Sequence, residues 1–433
     1  MKPFTSTNFF YPYKPIEISI GCLVAAVPLF AVTNSGGMYW AAIALFALGV
    51  CTSFNNQATF QKSEKLILAS WLFYPIIVAC DMLFRGGWAW GDFQQSSRFL
   101  MAIPVFLLMR KHKIPLEFIL IGVFFGVIWS GSLGLYQKLH LGWPRAYGGT
   151  NGGEISYGNI SLLLGFIGFA LTNLLNVSKN KKLLIGLIVL GFGVMASIAS
   201  GTKGGWLSVP LLLWVLIGID PSTRSVTKIY YFLIFFSIIL VIWWFSPFIQ
   251  SRVNHIPTAV ITYLQTNQIT DGSASARLEM WKAAIYMINN SPLLGSGTNS
   301  YFALKQVLIQ NGEVSNVILP MSGPHNQYLS ITVQYGVLGL VSLLSIYLTL
   351  AKHYLRVAKT APVLGACGLL VVFGYMDFNL VDNLWGVNAG GVFFVISSAF
   401  FAGIGSRYLN SNLDKSPYQP TPHPPLFGAK LVQ

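Results

Sequence analysis

Apolar runs of about twenty residues recur along this chain, and one long polar stretch, residues 247–324, interrupts them. A run of that length crosses the hydrocarbon core of a bilayer as a helix. Composition agrees: 54% of residues are hydrophobic and 9% are charged, with a mean hydropathy of +0.60. A soluble domain carries roughly 25% charged residues. The chain therefore reads as an all-α integral membrane protein. Its apolar runs predict twelve transmembrane helices, at 16–33, 37–53, 66–84, 97–109, 115–138, 157–176, 182–199, 204–219, 228–246, 326–350, 361–379 and 387–406. Residues 1–246 would hold helices one to nine, 247–324 a single long loop, and 325–408 helices ten to twelve. The proline-rich end, 409–433, reads as a disordered tail.

Charge sets the expected orientation. A net charge of +14 would suggest nucleic acid in a soluble protein, but in a membrane protein the excess gathers in cytoplasmic loops. With the N-terminus inside, 18 Lys and Arg fall on the inner side and 9 on the outer side. Both termini are then cytoplasmic and the 247–324 loop emerges outside. Residues 1–15 are polar and aromatic, and no small-residue cleavage site follows the first apolar run, so no cleavable signal peptide is expected. Cys22, Cys51, Cys80 and Cys367 fit no metal spacing and read as small packing residues.

The few outer cations are the candidates for chemistry. Arg277 opens an expected loop helix, capped by Ser273 or Ser275 and ended before Pro292. Leu278, Trp281, Ile285 and Ile288 share one face of that amphipathic helix. A guanidinium in its first turn can grip a phosphate with two bonds; the plainer alternative is a pair with Glu279 or a lipid headgroup. His325 follows Pro324 and starts the tenth span. A helix N-terminus disfavours positive charge, and a neutral imidazole can take a proton from a hydroxyl nucleophile; helix capping or headgroup binding are the alternatives. Lys203 lies in the glycine-flanked turn SGTKGGW, where snorkelling to the interface competes with function. Asn326, Arg145, Arg98, Arg85 and Trp281 complete the candidate substrate-binding set. Trp88, Trp90 and Trp143 can stack on sugars, although anchoring at the interface is the role favoured for them.

Several chemistries find no support. The chain has no GxxxxGKS phosphate loop, no HExxH and no DxD pair. Among the outer acids Asp92, Glu154, Asp271, Glu279, Glu313 and Asp382, only the last has a near acidic neighbour, Asp377, and not at a metal spacing. No metal and no cofactor are expected. An enzyme acting outside, away from nucleotide-sugars, needs a donor already activated on a lipid.

The motifs then resemble a known family. GPHNQYLSITVQYGVLG resembles the O-antigen ligase signature, in which His-Asn is followed after nine residues by Gly-x-x-Gly: His325, Asn326, Gly336 and Gly339. SASARLEMW with SPLLGSGTNSY resembles the other half of the shared ligase and polymerase domain, and SGTKGGW resembles its basic outer-end motif. The resemblance implies transfer of O-antigen polysaccharide from undecaprenyl diphosphate to the lipid A-core oligosaccharide. That reaction occurs at the periplasmic face of a Gram-negative inner membrane, with membrane lipids as the medium and no nucleic acid. It implies His325 as the base on the acceptor hydroxyl and Arg277 on the diphosphate. Many relatives carry arginine where Lys203 stands; lysine keeps the charge and loses the fork. The resemblance leaves O-antigen polymerase and protein O-oligosaccharyltransferase open. A lipid-linked glycan flippase is the non-enzyme alternative, and scarce mid-span charge disfavours it.

Overall fold

The computed structural model describes residues 13–53, 59–88, 90–219, 247–270 and 274–413, with Leu233, Ser237 and Trp244. All regular structure among them is helical. The bundle begins with α1 (Pro15–Phe30), α2 (Ser35–Ser53), α3 (Lys62–Phe84), α4 (Trp90–Lys111), α5 (Leu116–Leu135), α6 (Gly153–Leu171), α7 (Lys179–Ser200) and α8 (Val209–Ile219). Three helices of the polar stretch follow: α9 (Pro247–Thr266), α10 (Ala274–Asn290) and α11 (Ser300–Gln310). The chain returns to the bundle in α12 (Gln327–Ala358), α13 (Pro362–Val381) and α14 (Asn388–Leu413).

Eleven of the twelve expected spans coincide with a helix. The expected span 228–246, the cap Ser273 and the tail beyond Leu413 lie outside the described residues. Among the described residues, eight helices are long and apolar enough to cross a membrane: α2, α3, α5, α6, α7, α12, α13 and α14. The apolar helices Pro15–Phe30 and Gly204–Gly218 are shorter, and α4 begins with the polar stretch Gly91–Arg98. The protein is an all-α, multi-pass membrane protein.

Local chemistry sets the helix ends. Pro15 stands in the first turn of α1, where its missing N–H costs nothing. The Glu17 carboxylate accepts from the Lys14 N–H at 3.0 Å, and Glu64 does the same for Gln61 at 2.8 Å at the start of α3. Packing does the rest. α14 lies against α4, α6 against α7, α12 against α13 and α1 against α5. Trp385, in the turn between α13 and α14, is buried among Phe99, Phe394 and Tyr347 at ring-centroid distances of 4.7, 5.2 and 5.3 Å. Such aromatic contacts contribute about 0.5–1.5 kcal/mol each beyond burial, so the α13–α14 turn is held firmly.

In the 247–324 segment, here termed the insert, α10 buries a different face from the one its large apolar residues predict. Ala276, Met280, Ala283, Ala284 and Met287 point inward, while Ile285 is 52% exposed. The alanines let α10 approach its neighbours closely, and flexible methionines fill the gaps that remain. A pattern weighted by large residues overlooks such a face. Met280, Ala283, Ala284 and Met287 form a small second core with Tyr301, Val314, Ile318 and Val333 of α12. Ser275 falls inside α10 and is buried.

The insert joins the bundle through a break in α12. Gly336 has φ 60° and ψ −156°, a backbone region open essentially to glycine alone. A Cβ there would meet the Leu293 carbonyl oxygen at 2.2 Å. The segment 292–297 lies in the break. The amides of Ser296 and Gly297 donate to the carbonyls of Val333 and Gln334 at 2.8 and 2.9 Å, and the Val337 amide donates to the Pro292 carbonyl at 2.9 Å. The signature glycine thus serves a break in the helix. Gly336→Ala is expected to cost about 1–3 kcal/mol from backbone strain alone, read as a lower melting temperature of the detergent-solubilised protein.

Candidate active site

Three cations from separate parts of the chain line one cavity. It measures about 270 Å³ and is walled by Arg145, Ile155, Gly201, Thr202, Lys203, Gly204, Arg277 and Val381. Each arrives by a definite route. α7 ends at Gly201 in the left-handed conformation, and the chain turns there to present Lys203. Arg145 comes from the loop after α5, where its Nε donates to the Ser200 carbonyl at 2.8 Å. Arg277 is half-buried in the first turn of α10. Among the described residues, the wall contains two guanidiniums, an ammonium and no carboxylate, an arrangement that attracts an anion with several oxygens. A second hollow of about 340 Å³, between α1 and α5, is lined only by apolar residues and glycine, as a surface facing acyl chains would be.

His325 is next to this cavity rather than in its wall. Its Nδ1 lies 3.2 Å from Asp382 Oδ1. Asp382 directly follows Val381, a wall residue, and its carbonyl accepts from the Gln327 N–H at 3.1 Å. The hairpin of α12 and α13 explains the pairing: it returns the chain to the end it left, so the residue closing α13 meets the one preceding α12. A carboxylate on Nδ1 favours the tautomer with hydrogen there, which leaves Nε2 as the proton acceptor. His325 also has φ 46°, in the left-handed region. That conformation costs roughly 1–2 kcal/mol for a residue with a Cβ, and such strain clusters at functional sites.

The insert holds the strained residue. Trp281 Nε1 donates to the Pro324 carbonyl at 2.9 Å, immediately before His325. Lys305 is fully buried and donates to the carbonyls of Leu319 and Met321, with its ammonium 4.8 Å from the centre of the Phe302 ring. Burial pushes the Lys305 ammonium down from its usual range. Glu279, also buried, accepts from the Tyr263 hydroxyl and the Ser315 amide. Burial, and then the Glu279 carboxylate, push Tyr263 up. Side chains of α10 and α11 thus fix the segment 315–324 at three places.

Several expected substrate contacts have other partners. Arg98 is buried and donates to the Trp385 carbonyl and the Asn388 side chain, which ties α4 to the start of α14. Arg85 donates to Asp81 at 2.7 Å and to the Gly295 carbonyl at 2.8 Å, gripping the segment inserted at Gly336. The Asn326 side chain accepts from the Leu329 amide at 3.0 Å and caps α12. Trp281 reaches the backbone before His325, as described above. Of the eight expected site residues, the structure brings Lys203, Arg277 and Arg145 together. Sequence reasoning missed Asp382 as a site residue, although the antiparallel hairpin was the signal: an acid closing one span on the face where a histidine opens another.

Trp281→Phe is expected to remove about 1 kcal/mol of hydrogen bonding and to speed amide exchange across 315–324 while leaving exchange in α6 and α14 unchanged. Hydrogen-exchange mass spectrometry reads this directly.

Residues 185–344 match the O-antigen ligase family, and the match supports membership of the O-antigen ligase superfamily. The matched region contains Lys203, Arg277, the insert, His325 and the break at Gly336. An uncharacterized protein of Haemophilus influenzae is 24% identical over 390 residues, which cover 88% of this chain and 97% of that protein.

Proposed function

From membership of the O-antigen ligase superfamily, we propose that this protein is a glycosyltransferase at the periplasmic face of the inner membrane. It transfers O-antigen polysaccharide from undecaprenyl diphosphate to the lipid A-core oligosaccharide. One observation carries the reading: a cavity walled by Lys203, Arg277 and Arg145 adjoins the His325–Asp382 pair through Val381. Cations beside a proton acceptor suit displacement of a diphosphate by a hydroxyl.

The donor's bond between anomeric carbon and diphosphate oxygen is already activated. The acceptor hydroxyl attacks that carbon while its proton passes to Nε2 of His325. The carbon–oxygen bond breaks, and the diphosphate leaves with the electron pair. Lys203, Arg277 and Arg145 stabilise the charge that grows on it. Asp382 holds the imidazole in its productive tautomer and stabilises the imidazolium that forms. Attack opposite the leaving group inverts the anomeric centre. Both substrates are lipids, and lateral diffusion in the bilayer delivers them to a site at membrane level.

Loss of a positioned general base typically costs about 10²–10⁴-fold in rate. His325→Ala is therefore expected to remove transfer in a reconstituted assay while the protein still inserts and folds. Near-normal activity would sink the base assignment. Arg277→Ala is expected to raise KM for the lipid-linked donor more than for the acceptor. Deleting the gene and resolving the lipopolysaccharide on a gel tests the reaction as a whole. A ligase gives core without polymer and an accumulation of lipid-linked polymer; core carrying a single repeat unit would assign polymerase activity instead.

A further inference from the structure

We infer that the stacked rings of Trp143 and Tyr147 form a sugar-binding platform beside the cation cavity. The inference rests on the reading of that cavity as a diphosphate site. The helix α5 ends in one π turn, Tyr136–His140, and the chain then leaves as a loop that includes Arg145. Single π turns are rare and are frequently found at functional sites. This one sets Gln137 inward, where it is buried.

Gln137 makes four of the hydrogen bonds that hold the loop together. Its Nε2 donates to the Gly148 carbonyl at 2.7 Å, and its Oε1 accepts from the amides of Tyr147 and Gly148 at 3.1 and 2.9 Å. Its own carbonyl accepts from the Trp143 amide at 3.1 Å. Gly148 has φ 62°, and a Cβ there would meet the Val32 carbonyl oxygen at 2.4 Å, so the loop fits only as glycine at this point. The Ala146 amide donates to the Ala199 carbonyl at 3.0 Å, which fastens the loop to the end of α7.

The product of this framework is a pair of nearly parallel rings. Trp143 and Tyr147 stack with centroids 4.9 Å apart and planes 5° from parallel, and Tyr147 is 41% exposed. Arg145, between them in the sequence, reaches the cavity wall. A pyranose ring has a flat face of C–H bonds and a polar rim. It packs on an aromatic face while its hydroxyls stay in water. A platform held rigid before binding loses little entropy when a ligand arrives. Membrane anchoring needs neither a parallel pair nor a buried amide beneath it. Trp88, Trp90 and Phe93 show the contrast: they meet edge-on or tilted, with Trp90 73% exposed, as interface anchors do.

The ligand class is a pyranose ring within one sugar of the diphosphate. It comes from the donor's first residue or from the acceptor's terminal residue, and binding measurements separate the two. The protein in phospholipid nanodiscs is titrated with undecaprenyl diphosphate bearing one repeat unit, with undecaprenyl diphosphate alone, and with lipid A-core. Tyr147→Ala is expected to weaken one glycan ligand about tenfold, the equivalent of roughly 1.4 kcal/mol, and to leave the sugar-free lipid unchanged. The ligand that weakens identifies the sugar. Tyr147→Phe keeps the ring and should bind as the wild type does. If Tyr147→Ala does not fold, Tyr147→Leu keeps bulk without the aromatic face and takes its place. The platform is overturned if the variant binds both glycan ligands as the wild type does, or weakens the sugar-free lipid equally. Lys203→Ala should weaken both diphosphate lipids and spare the platform. Failure of the wild type to bind either diphosphate lipid would instead overturn the diphosphate reading, on which the platform rests.

Discussion

A helix that breaks inside a packed core leaves backbone groups in need of partners, and the protein depends on how they are satisfied at Gly336. The carbonyls of Val333 and Gln334 and the amide of Val337 find partners in the segment 292–297. Leaving a buried backbone group of this kind unsatisfied costs about 1–3 kcal/mol. The break and the insert therefore need each other: α12 is not stable in this form without the segment, and the segment has its place only in the break. Because α10 ends at Asn290, just before that segment, the joint also fixes where α10 lies and hence where Arg277 stands relative to Lys203.

The proposed chemistry draws on this arrangement in two ways. Cations from α10, from the α7 end and from the loop after α5 converge, although long stretches of chain separate them. Asp382 holds the imidazole through Nδ1, the atom facing away from the acceptor. The strained backbone of His325 then persists because Trp281 holds Pro324 and Lys305 holds the chain a few residues earlier. Side chains of the insert therefore set the orientation of a residue that begins a membrane helix.

The spans were legible because burial in lipid demands long apolar runs, and those runs fall on helices for every expected span within the described residues. The motif cations were legible for a related reason, since charge is rare in such a chain and stands out. Three things were hidden. The inward face of α10 is built from alanine and methionine, which a pattern of large apolar residues does not mark. Arg98 and Arg85 carry the same charge as Arg145, but only packing decides that they bind backbone carbonyls of Trp385 and Gly295. Asp382 lies far from His325 in sequence, and it becomes a partner only once α12 and α13 form a hairpin.

The joint at Gly336 is made from amides and carbonyls that every residue but proline possesses in full. Side-chain identity within 292–297 is therefore weakly constrained, apart from Gly295 and Gly297, which have positive φ. The architecture can be inherited through extensive sequence divergence, as main-chain contacts survive substitutions that erase recognisable similarity. Drift is then free to reshape the cavity walls and the loops around them, while the frame that aligns them stays the same.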